Sequence, residues 1–323
     1  KNIYMKHKEI LVFGATGQIG RNLIRKLTEN NYKIIAVTRN IHRKGYILKT
    51  QANPGYLELV EVKNFEEKKL QDLFERCSIC INLIGILFEK KKDQFDTIHH
   101  LLPQMLSKLA HKNKIEKFIH FSALNVENIN DSDYATSKSN GEKKVLENFS
   151  NSTIIKPSLV YSIDDNFTTT FMSLLSKLPI MPLYYNGKTR FQPIHVSDLV
   201  NIIIELLKQK KNIKFIECLG PDKLTFKEIL LLLLKAIDKK RLLIPIPLRI
   251  AKISAKFLQL FPTPLLTEDQ LKLLKYDNIQ TGKHMTNYDL GIKANKKFEN
   301  VIFEYSYNWM NGGKYNKINK QIL

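Results

Sequence analysis

The chain has 323 residues, 43% of them hydrophobic, which favours a globular protein with a sizeable core. The longest unbroken apolar run, residues 229–234, is far shorter than the about 20 residues that a membrane-spanning helix needs. With 51 Lys and Arg against 31 Asp and Glu, the formal charge is +20. This charge favours an acidic protein partner or membrane surface. Because no nucleic-acid-binding motif accompanies it, we expect no nucleic acid as partner.

The N-terminus and the cysteines carry little functional information. Eight residues precede the first predicted strand, so we expect no signal or transit peptide in this sequence.

Three cysteines are too few, and odd in number, for a disulfide scaffold. Cys77 and Cys80 have the spacing of a metal or redox pair, but they begin an apolar predicted strand, in which residues three apart point to opposite faces. We interpret both as core residues and expect no metal site.

A glycine-rich turn follows the first predicted strand. This strand runs directly into Gly14-x-x-Gly17-x-x-Gly20, and a helix is predicted over 19–29. A dinucleotide site needs positive φ at Gly14, approach of the pyrophosphate to bare backbone at Gly17, and close packing of helix on strand at Gly20. A turn without a ligand is the alternative. The next strand, predicted over 33–37, completes the strand–helix–strand context that favours cofactor binding.

The end of the second predicted strand bears on the choice of nucleotide. In this fold an acidic residue at that position binds the 2′-hydroxyl of the adenosine ribose, and a basic residue binds a 2′-phosphate. The sequence there is Thr38-Arg39-Asn40, and Arg39 has the rigid fork of donors that suits a phosphate. Arg43 and Lys44 follow as further candidates. We therefore predict NADP(H) rather than NAD, with a merely solvated Arg39 as the alternative.

Strand and helix patterns alternate along the first half of the chain. The further predicted strands are 56–62, 78–84, 117–121 and 152–156, and the predicted helices are 66–76, 95–111 and 134–148. Such alternation is typical of a parallel sheet with helices on both faces. We predict an α/β protein, with a Rossmann-type doubly wound parallel sheet and a smaller C-terminal α/β lobe. Its ligand should lie outside the carboxyl ends of the strands.

Tyr134 and Lys138 begin the helix that follows the strand ending before Ser122. Their spacing places a phenol and an ammonium on one helix face, one turn apart. If the three side chains act as in a short-chain dehydrogenase, Ser122 orients a carbonyl, Tyr134 transfers a proton and Lys138 holds the nicotinamide ribose. The pKa of the phenol must then fall about three units from roughly 10. The alternative is that the pair only binds ribose and supports the helix.

After Pro157 the alternation stops, and prolines separate shorter elements. We expect an NAD(P)-binding domain over 1–160 and a smaller lobe over 161–323, with 186–205 returning to the first domain. Thr225 and Glu228 have the spacing of a capping box, which predicts the start of a helix.

An amphipathic pattern covers 247–260 in this lobe. Apolar residues lie along one side of the predicted helix and basic residues lie around the other, namely Ile250, Ile253, Phe257 and Leu260 against Arg249, Lys252 and Lys256. The pattern fits a helix that closes the lobe, or a surface that contacts a membrane or a larger assembly. Three polar residues, Arg190, Gln192 and His195, could face a ligand or brace the fold.

Six segments in this order carry a family resemblance: 12–24, 81–89, 116–125, 134–145, 154–167 and 187–200. The chain resembles the atypical, extended branch of the short-chain dehydrogenase superfamily. More closely, it is similar to the family of the nucleotide-binding accessory subunit of respiratory complex I (alpha-subcomplex subunit nine) and its alphaproteobacterial relatives. The motif INLIG, followed by EKFIH-x-S-x-LN and KPS, is the most specific part.

The resemblance implies a tightly held NADP(H) with a structural role, and no hydride transfer to a soluble substrate. It implies other complex I subunits as partners, at the junction of the hydrophilic and membrane arms. It also implies peripheral contact with an energy-transducing membrane, on the cytoplasmic face of a bacterial inner membrane or the matrix side of the mitochondrial inner membrane.

Carried over by residue, the resemblance places the three motif glycines and Arg39 at the phosphates and Gly85 under the cofactor. Tyr134 and Lys138 then meet the nicotinamide ribose, and Pro157 and Ser158 border its ring. The predicted cofactor-binding set also contains Thr16, Gln18, Ile19, Asn64, Leu83, Ile84 and Ser122.

Three hypotheses remain open. The first is a complex I accessory or assembly protein with a structural NADPH. The second is a working NADP-dependent reductase or sugar-nucleotide epimerase or dehydratase, with Ser122, Tyr134 and Lys138 as catalytic residues. The third is a redox-sensing or RNA-associated module in which the nucleotide is a signal.

Overall fold

The computed structural model describes residues 9–259 and 264–313. Within them the chain divides into two compact units. The first comprises 9–157, 200–217 and 283–285, and the second comprises 158–199, 218–259, 264–282 and 286–313. The expectation about the N-terminal eight residues, and Leu260 of the amphipathic pattern, lie outside the described residues.

The N-terminal part alternates strands and helices, as predicted. The elements are β1 (Glu9–Phe13), α1 (Gln18–Glu29), β2 (Lys33–Thr38), α2 (Tyr46–Gln51), β3 (Leu57–Glu61), α3 (Glu67–Arg76), β4 (Cys77–Asn82), α4 (Leu102–Lys112), β5 (Lys117–Phe121), α5 (Asp133–Asn148) and β6 (Ser152–Pro157). Short π-helices cover Ile41–Gly45 and Asp96–Leu101, and a 3₁₀ turn covers Val126–Asn128. The predicted bounds agree within two residues, except that the helix predicted over 95–111 begins as a π-helix and α2 was missed.

Shorter elements follow. They are β7 (Val160–Tyr161), α6 (Thr168–Lys177), β8 (Ile180–Leu183), β9 (Arg190–Phe191), β10 (Ile194–His195), α7 (Val196–Lys208), β11 (Phe215–Cys218), β12 (Leu224–Thr225), α8 (Phe226–Ala236), β13 (Leu242–Pro245), α9 (Leu248–Leu258), α10 (Glu268–Leu273), β14 (Met285–Thr286) and α11 (Phe298–Tyr305). The capping box is confirmed, since Thr225 Oγ1 accepts a hydrogen bond from Glu228 N at 3.2 Å and the Glu228 carboxylate accepts one from Thr225 N at 2.7 Å.

The described residues form one eight-stranded sheet with the order β14-β11-β6-β5-β4-β1-β2-β3. The pairs β1–β2, β2–β3, β1–β4, β4–β5 and β5–β6 are parallel. Chain order therefore runs outward in both directions from the neighbours β1 and β4. This is the doubly wound arrangement, and it confirms the predicted α/β class.

The central strands are buried because helices cover them. Apolar side chains of β1, β2 and β4 pack with those of α3 and α4 in one cluster, which includes Leu11, Phe13, Ile35, Phe74 and Leu106. A parallel sheet covered in this way needs strands that are apolar along their whole length. In the second unit, α6, α8 and α11 share a separate core that includes Met172, Leu230 and Ile302.

Cys77 and Cys80 do not point to opposite faces of the sheet, so that expectation was wrong. Glu9 pairs with Cys77 but Ile10 pairs with Ile79, which leaves a bulge in β4. The bulge interrupts the alternation of side chains. Both thiols therefore pack in the same apolar cluster, where burial, and then the Cys77 thiol, raises the pKa of the Cys80 thiol.

Two further observations concern the described residues alone. None of their helices combines the length and the apolar character required to traverse a bilayer. Nor do they contain a group of three or more His, Cys, Asp or Glu side chains placed to hold a metal ion.

Candidate functional site

The carboxyl ends of β1 and β4 meet where the strand order reverses. Phe13 at the end of β1 pairs with Asn82 at the end of β4, and Leu83 N donates a hydrogen bond to Phe13 O at 3.0 Å. In open α/β sheets ligands bind in the crevice at such a reversal. The glycine turn leaves β1 at this point, and the segment 83–85 leaves β4.

The glycine turn has the geometry that the sequence predicted. Gly14 has φ of +78°, and a Cβ there would lie 3.0 Å from the Leu83 carbonyl carbon and 3.1 Å from Ile84 N. A Cβ at Gly20 would lie 2.5 Å from the carbonyl oxygens of Gly14 and Ala15. Glycine at these two positions is therefore what lets the turn approach both the start of α1 and the exit of β4.

The N-terminus of α1 follows the glycine turn and has no side-chain cap. Its N-cap is Gly17, which is exposed and supplies no side-chain cap, and its first turn contains no acidic residue. The Arg21 guanidinium donates to Thr16 O at 2.7 Å and so braces the turn from behind. The first-turn residues Gln18 and Ile19 are half-buried. Uncapped amides at the positive end of a helix suit a pyrophosphate.

Arg39 and Asn64 follow the ends of the neighbouring strands. Both are exposed, Arg39 directly after β2 and Asn64 three residues after β3. Asn64 precedes Phe65, whose ring packs edge-on against Phe13 at the end of β1, with centroids 5.9 Å apart. A carboxylate is nearby: Glu61 accepts a hydrogen bond from Ile41 N at 2.9 Å. The side chains of Arg43 and Lys44 lie outside the described part of the chain.

Lys138 lies under the segment that leaves β4. Its side chain is buried, 4% exposed, and Nζ donates a hydrogen bond to Phe121 O at 3.1 Å. Burial lowers the pKa of this ammonium to about 8, against the opposing effect of the Glu142 carboxylate. A Cβ at Gly85 would lie only 3.1 Å from Nζ, so any larger residue would cover the ammonium.

The arrangement fits a nicotinamide dinucleotide. Ser122 directly follows β5, and its buried hydroxyl makes no hydrogen bond of normal geometry to another described residue. A bound ribose or amide would satisfy that hydroxyl and the remaining donors of Lys138. Together with the backbone of the glycine turn, these side chains bring the predicted phosphate-binding and ribose-binding groups of the first unit to one edge of the sheet.

A buried charge cluster beneath α5 was missed by the sequence reasoning. Lys156 Nζ lies 2.6 Å from the Glu127 carboxylate and 3.0 Å from the Glu142 carboxylate, and the Lys156 side chain is 1% exposed. Burial raises the pKa of Glu142, although Lys156 and the nearby Ser122 hydroxyl act in the other direction. Burial acts to raise the pKa of Glu127 as well. The hydrogen bond from Lys156 acts against it, and the pKa of Glu127 lies below its usual value. Glu142 stands four residues after Lys138, a spacing visible in the sequence.

Two buried histidines were missed as well. His120 Nδ1 lies 3.1 Å from Asn82 Nδ2, and Asn82 Oδ1 accepts a hydrogen bond from Ile84 N at 3.1 Å. Burial, followed by the charge of Lys138, lowers the pKa of His120 to about 3. His99 lies in the π-helix Asp96–Leu101. The sequence offered a signal for His120, because side chains alternate along β5 and residues two apart, such as His120 and Ser122, share a face. No local sequence pattern indicated that His99 is buried beside the site.

Other predicted positions lie at or beyond the end of β6. Pro157 ends β6 in the first unit, and its carbonyl accepts a hydrogen bond from Leu124 N at 3.1 Å. Ser158 belongs to the second unit, where its hydroxyl donates to the backbone and side-chain oxygens of Asn278 at 3.0 and 2.7 Å.

Three polar side chains of the second unit have partners within it. The Arg190 guanidinium forms two hydrogen bonds with Asp277, at 2.6 and 2.9 Å, and Gln192 Nε2 donates to Gly220 O at 3.0 Å. His195 Nδ1 lies 2.7 Å from the hydroxyl of Ser197, and burial lowers the pKa of its ring to about 4. These contacts favour the bracing alternative over ligand binding.

The helix α9 exposes its apolar side. Ile250, Ile253 and Phe257 are 53, 57 and 67% exposed, whereas Ala251 and Ala255 are buried against the rest of the second unit. The helix therefore packs through its small residues. It does pack within the lobe, but the large apolar residues of the predicted pattern are not the ones that it buries there.

Comparison with known proteins gives relatives over most of the chain. The 40 kDa subunit of mitochondrial NADH-ubiquinone oxidoreductase from Neurospora crassa is 24% identical over 309 residues, covering 94% of this chain and 80% of that protein. The mitochondrial NADH dehydrogenase (ubiquinone) 1 alpha subcomplex subunit 9 from Dictyostelium discoideum is 27% identical over 295 residues, covering 90 and 82%. These relatives confirm the resemblance to the complex I subunit family.

Two solved structures with the same fold are named as enzymes and have little sequence similarity to this chain. UDP-glucuronic acid 4-epimerase from Bacillus cereus, in complex with UDP-glucuronic acid and NAD, superposes with a TM-score of 0.70 at 18% identity, covering 93% of this chain and 99% of that one. The dTDP-glucose 4,6-dehydratase from Bacillus anthracis, in complex with NAD, gives a TM-score of 0.71 at 15% identity, covering 95 and 100%. The model of the NAD dependent epimerase/dehydratase family matches residues 10–215. The chain therefore belongs to the NAD dependent epimerase/dehydratase family.

Proposed function

We propose that this protein is an accessory subunit of respiratory complex I that binds NADP(H) as a structural cofactor. The observation that carries the proposal is the glycine turn at the strand-order reversal, found in a chain whose relatives over 90% or more of its length are named as complex I subunits. A ligand that binds only the folded state stabilises it by an amount that grows with the logarithm of its affinity, so a tightly held dinucleotide would brace the first unit.

The chain's own residues divide the binding between two ends of the crevice. The backbone at Gly14 and Gly17, with the first amides of α1, would hold the pyrophosphate. Lys138 and Tyr134 would hold the nicotinamide ribose, and Gly85 leaves the space for it. When bound, the cofactor supplies a hydride carrier, which the proposed structural role does not use.

Arg39 supports NADP(H) over NAD(H). It follows β2 and is exposed, so its guanidinium is available for bidentate contact with a 2′-phosphate. NAD(H) binding would call for a carboxylate at the ribose 2′-hydroxyl. The first residues after Thr38 contain none, and the Glu61 carboxylate already accepts a hydrogen bond from Ile41 N.

Purification in mild detergent from its own source is expected to recover the protein with complex I subunits and with NADP(H), identified by mass spectrometry.

In the isolated protein, Arg39→Ala is expected to weaken NADPH binding by about tenfold or more while leaving NADH binding unchanged, because one charge-assisted contact is lost. Arg25→Ala, on the exposed surface of α1, is the matched control. A wild-type protein that releases no nucleotide and is not stabilised by added NADPH contradicts the proposal.

We infer that α9 makes the peripheral membrane contact, on the cytoplasmic or matrix face of an energy-transducing membrane. Its exposed residues Ile250, Ile253 and Phe257 alternate with Arg249 and Lys252, and this combination of apolar and basic side chains suits a surface of anionic lipid.

The purified protein is expected to bind vesicles of phosphatidylglycerol in a salt-sensitive way. Phe257→Glu should reduce that binding by roughly tenfold or more, since it removes a large apolar contact and adds a negative charge. Leu231→Glu replaces a leucine of α8 that is 48% exposed and serves as the control. Equal binding by the two variants, measured by vesicle sedimentation, would refute the assignment of α9.

A second function has specific support from the site. Ser122, Tyr134 and Lys138 are all retained, and burial lowers the pKa of Lys138 to about 8, so an NADP-dependent reductase or sugar-nucleotide epimerase remains the alternative. Turnover of a sugar nucleotide that disappears in Tyr134→Phe would favour this alternative.

A further inference from the structure

His99 is a buried residue to which neither the sequence motifs nor the proposed function assigns a role. It is fully buried in the π-helix Asp96–Leu101. Its Nε2 accepts a hydrogen bond from Ile86 N at 3.0 Å, and its Nδ1 lies 3.0 Å from Ser137 Oγ. One imidazole therefore joins the segment leaving β4 to the helix α5, two parts of the chain that contribute predicted cofactor-binding residues.

The hydrogen bonds define the tautomer of this imidazole. The Ser137 hydroxyl donates its proton to Tyr134 O at 2.8 Å, so it must accept from His99 Nδ1–H. The Ile86 amide is a donor, so Nε2 must be an unprotonated acceptor. Burial, followed by the charge of Lys138, lowers the pKa of His99 to about 2. The ring is therefore neutral at physiological pH, and both hydrogen bonds are retained.

The same ring also supports Tyr134. The rings of His99 and Tyr134 pack edge-to-face with centroids 5.3 Å apart, and Phe95 packs edge-on against Tyr134 at 5.8 Å. A Cβ at Gly85 would lie 3.7 Å from His99 Nε2 and 3.1 Å from Lys138 Nζ. Gly85, Tyr134 and Lys138 thus all lie beside this one side chain.

We propose that His99 is a positioning residue of the dinucleotide site, which holds the backbone at Gly85 and Ile86 in place over Lys138 and fixes the ring of Tyr134. For its effect on the cofactor this inference rests on the proposed function. The effect on the backbone does not, because the hydrogen bonds exist within the protein itself.

The test compares variants of the full chain with and without NADPH. His99→Phe keeps an aromatic ring but removes both hydrogen bonds, and His99→Gln restores an acceptor for the Ile86 amide. The matched control is His100→Phe, since His100 is the neighbouring residue of the same π-helix and pairs with Asp96 at 2.8 Å instead. The measurements are hydrogen exchange of the Ile86 amide in the cofactor-free protein and the dissociation constant of NADPH.

In His99→Phe, exchange of the Ile86 amide is expected to accelerate, and NADPH binding to weaken, each by roughly tenfold, the effect of about one lost hydrogen bond. His99→Gln should recover most of the protection of the Ile86 amide and most of the NADPH affinity. His100→Phe should change neither the exchange rate nor the affinity. Unchanged exchange at Ile86 in His99→Phe would overturn the inference. A wild type that does not bind NADPH would refute the proposed function, while the exchange measurement still tests His99.

Discussion

Replacement of Gly141 by alanine is expected to destabilise the first unit by about 3 kcal/mol or more, a value at the upper end for an overpacked site. A Cβ at this position of α5 would lie 1.9 Å from the backbone carbonyl oxygen of His99. No rotamer can relieve such a contact, because both atoms are fixed by the backbone. The methyl group must therefore separate α5 from the π-helix Asp96–Leu101, whose contact also carries the hydrogen bond between His99 and Ser137.

Helix propensity alone predicts that Gly141→Ala makes the protein more stable. Alanine is more favourable than glycine inside a helix by about 1 kcal/mol, so a destabilised Gly141→Ala variant isolates the close packing as the cause. Lys143→Ala, at an exposed position of the same helix, is the control and should stay within about 0.5 kcal/mol of wild type. Unfolding in urea, followed by circular dichroism, measures both. Equal midpoints for Gly141→Ala and wild type would show that α5 does not approach His99 this closely.

Loss of the buried cation at Lys156 should have a comparable effect. Lys156→Met keeps much of the side-chain volume but leaves Glu142 and Glu127 without the ammonium that lies 3.0 and 2.6 Å from them. Breaking a buried ion pair by removing one partner costs about 3–5 kcal/mol, since the remaining charge is buried and uncompensated. Lys144→Met, which removes an exposed pair with Glu147, is the control and should cost about 1 kcal/mol or less.

The loss in Lys156→Met should depend on pH with a definite sign. Burial already raises the pKa of Glu142 above its ordinary 4.5, and removal of Lys156 should raise it further. A group whose pKa is higher in the folded state contributes stability below its unfolded pKa, and this contribution is lost as the pH rises through the folded value. The variant should therefore be least stable at alkaline pH, and Lys156→Met combined with Glu142→Gln should recover stability there. A loss that is the same at pH 5 and pH 8 would contradict this explanation.

The glycine turn, the alternating elements and the capping box could be predicted because each depends on neighbouring residues. Gly14 needs positive φ for a turn that four residues define, and Thr225 and Glu228 satisfy each other across one helical turn. Features of this kind depend on residues that are close in sequence, so the sequence alone predicts them.

The parts that escaped prediction depend on contacts between distant residues. His99 meets Ser137, 38 positions later, and Lys156 meets Glu127, 29 positions earlier. The bulge in β4 arises from its pairing with β1, so the sequence of β4 alone could not show that Cys77 and Cys80 share a cluster. Likewise the amphipathic pattern located α9 but left undecided which side the fold covers, and the small residues Ala251 and Ala255 proved to be the buried ones.

The nearness of Gly14 to the exit of β4 couples the two ends of the crevice mechanically. The turn that would hold the phosphates sits against Leu83 and Ile84, and the next residue, Gly85, lies over Lys138. A displacement of the turn toward β4 would press on this segment, since packed interiors transmit strain. A group bound against the turn would therefore also bear on the position of the backbone above the lysine.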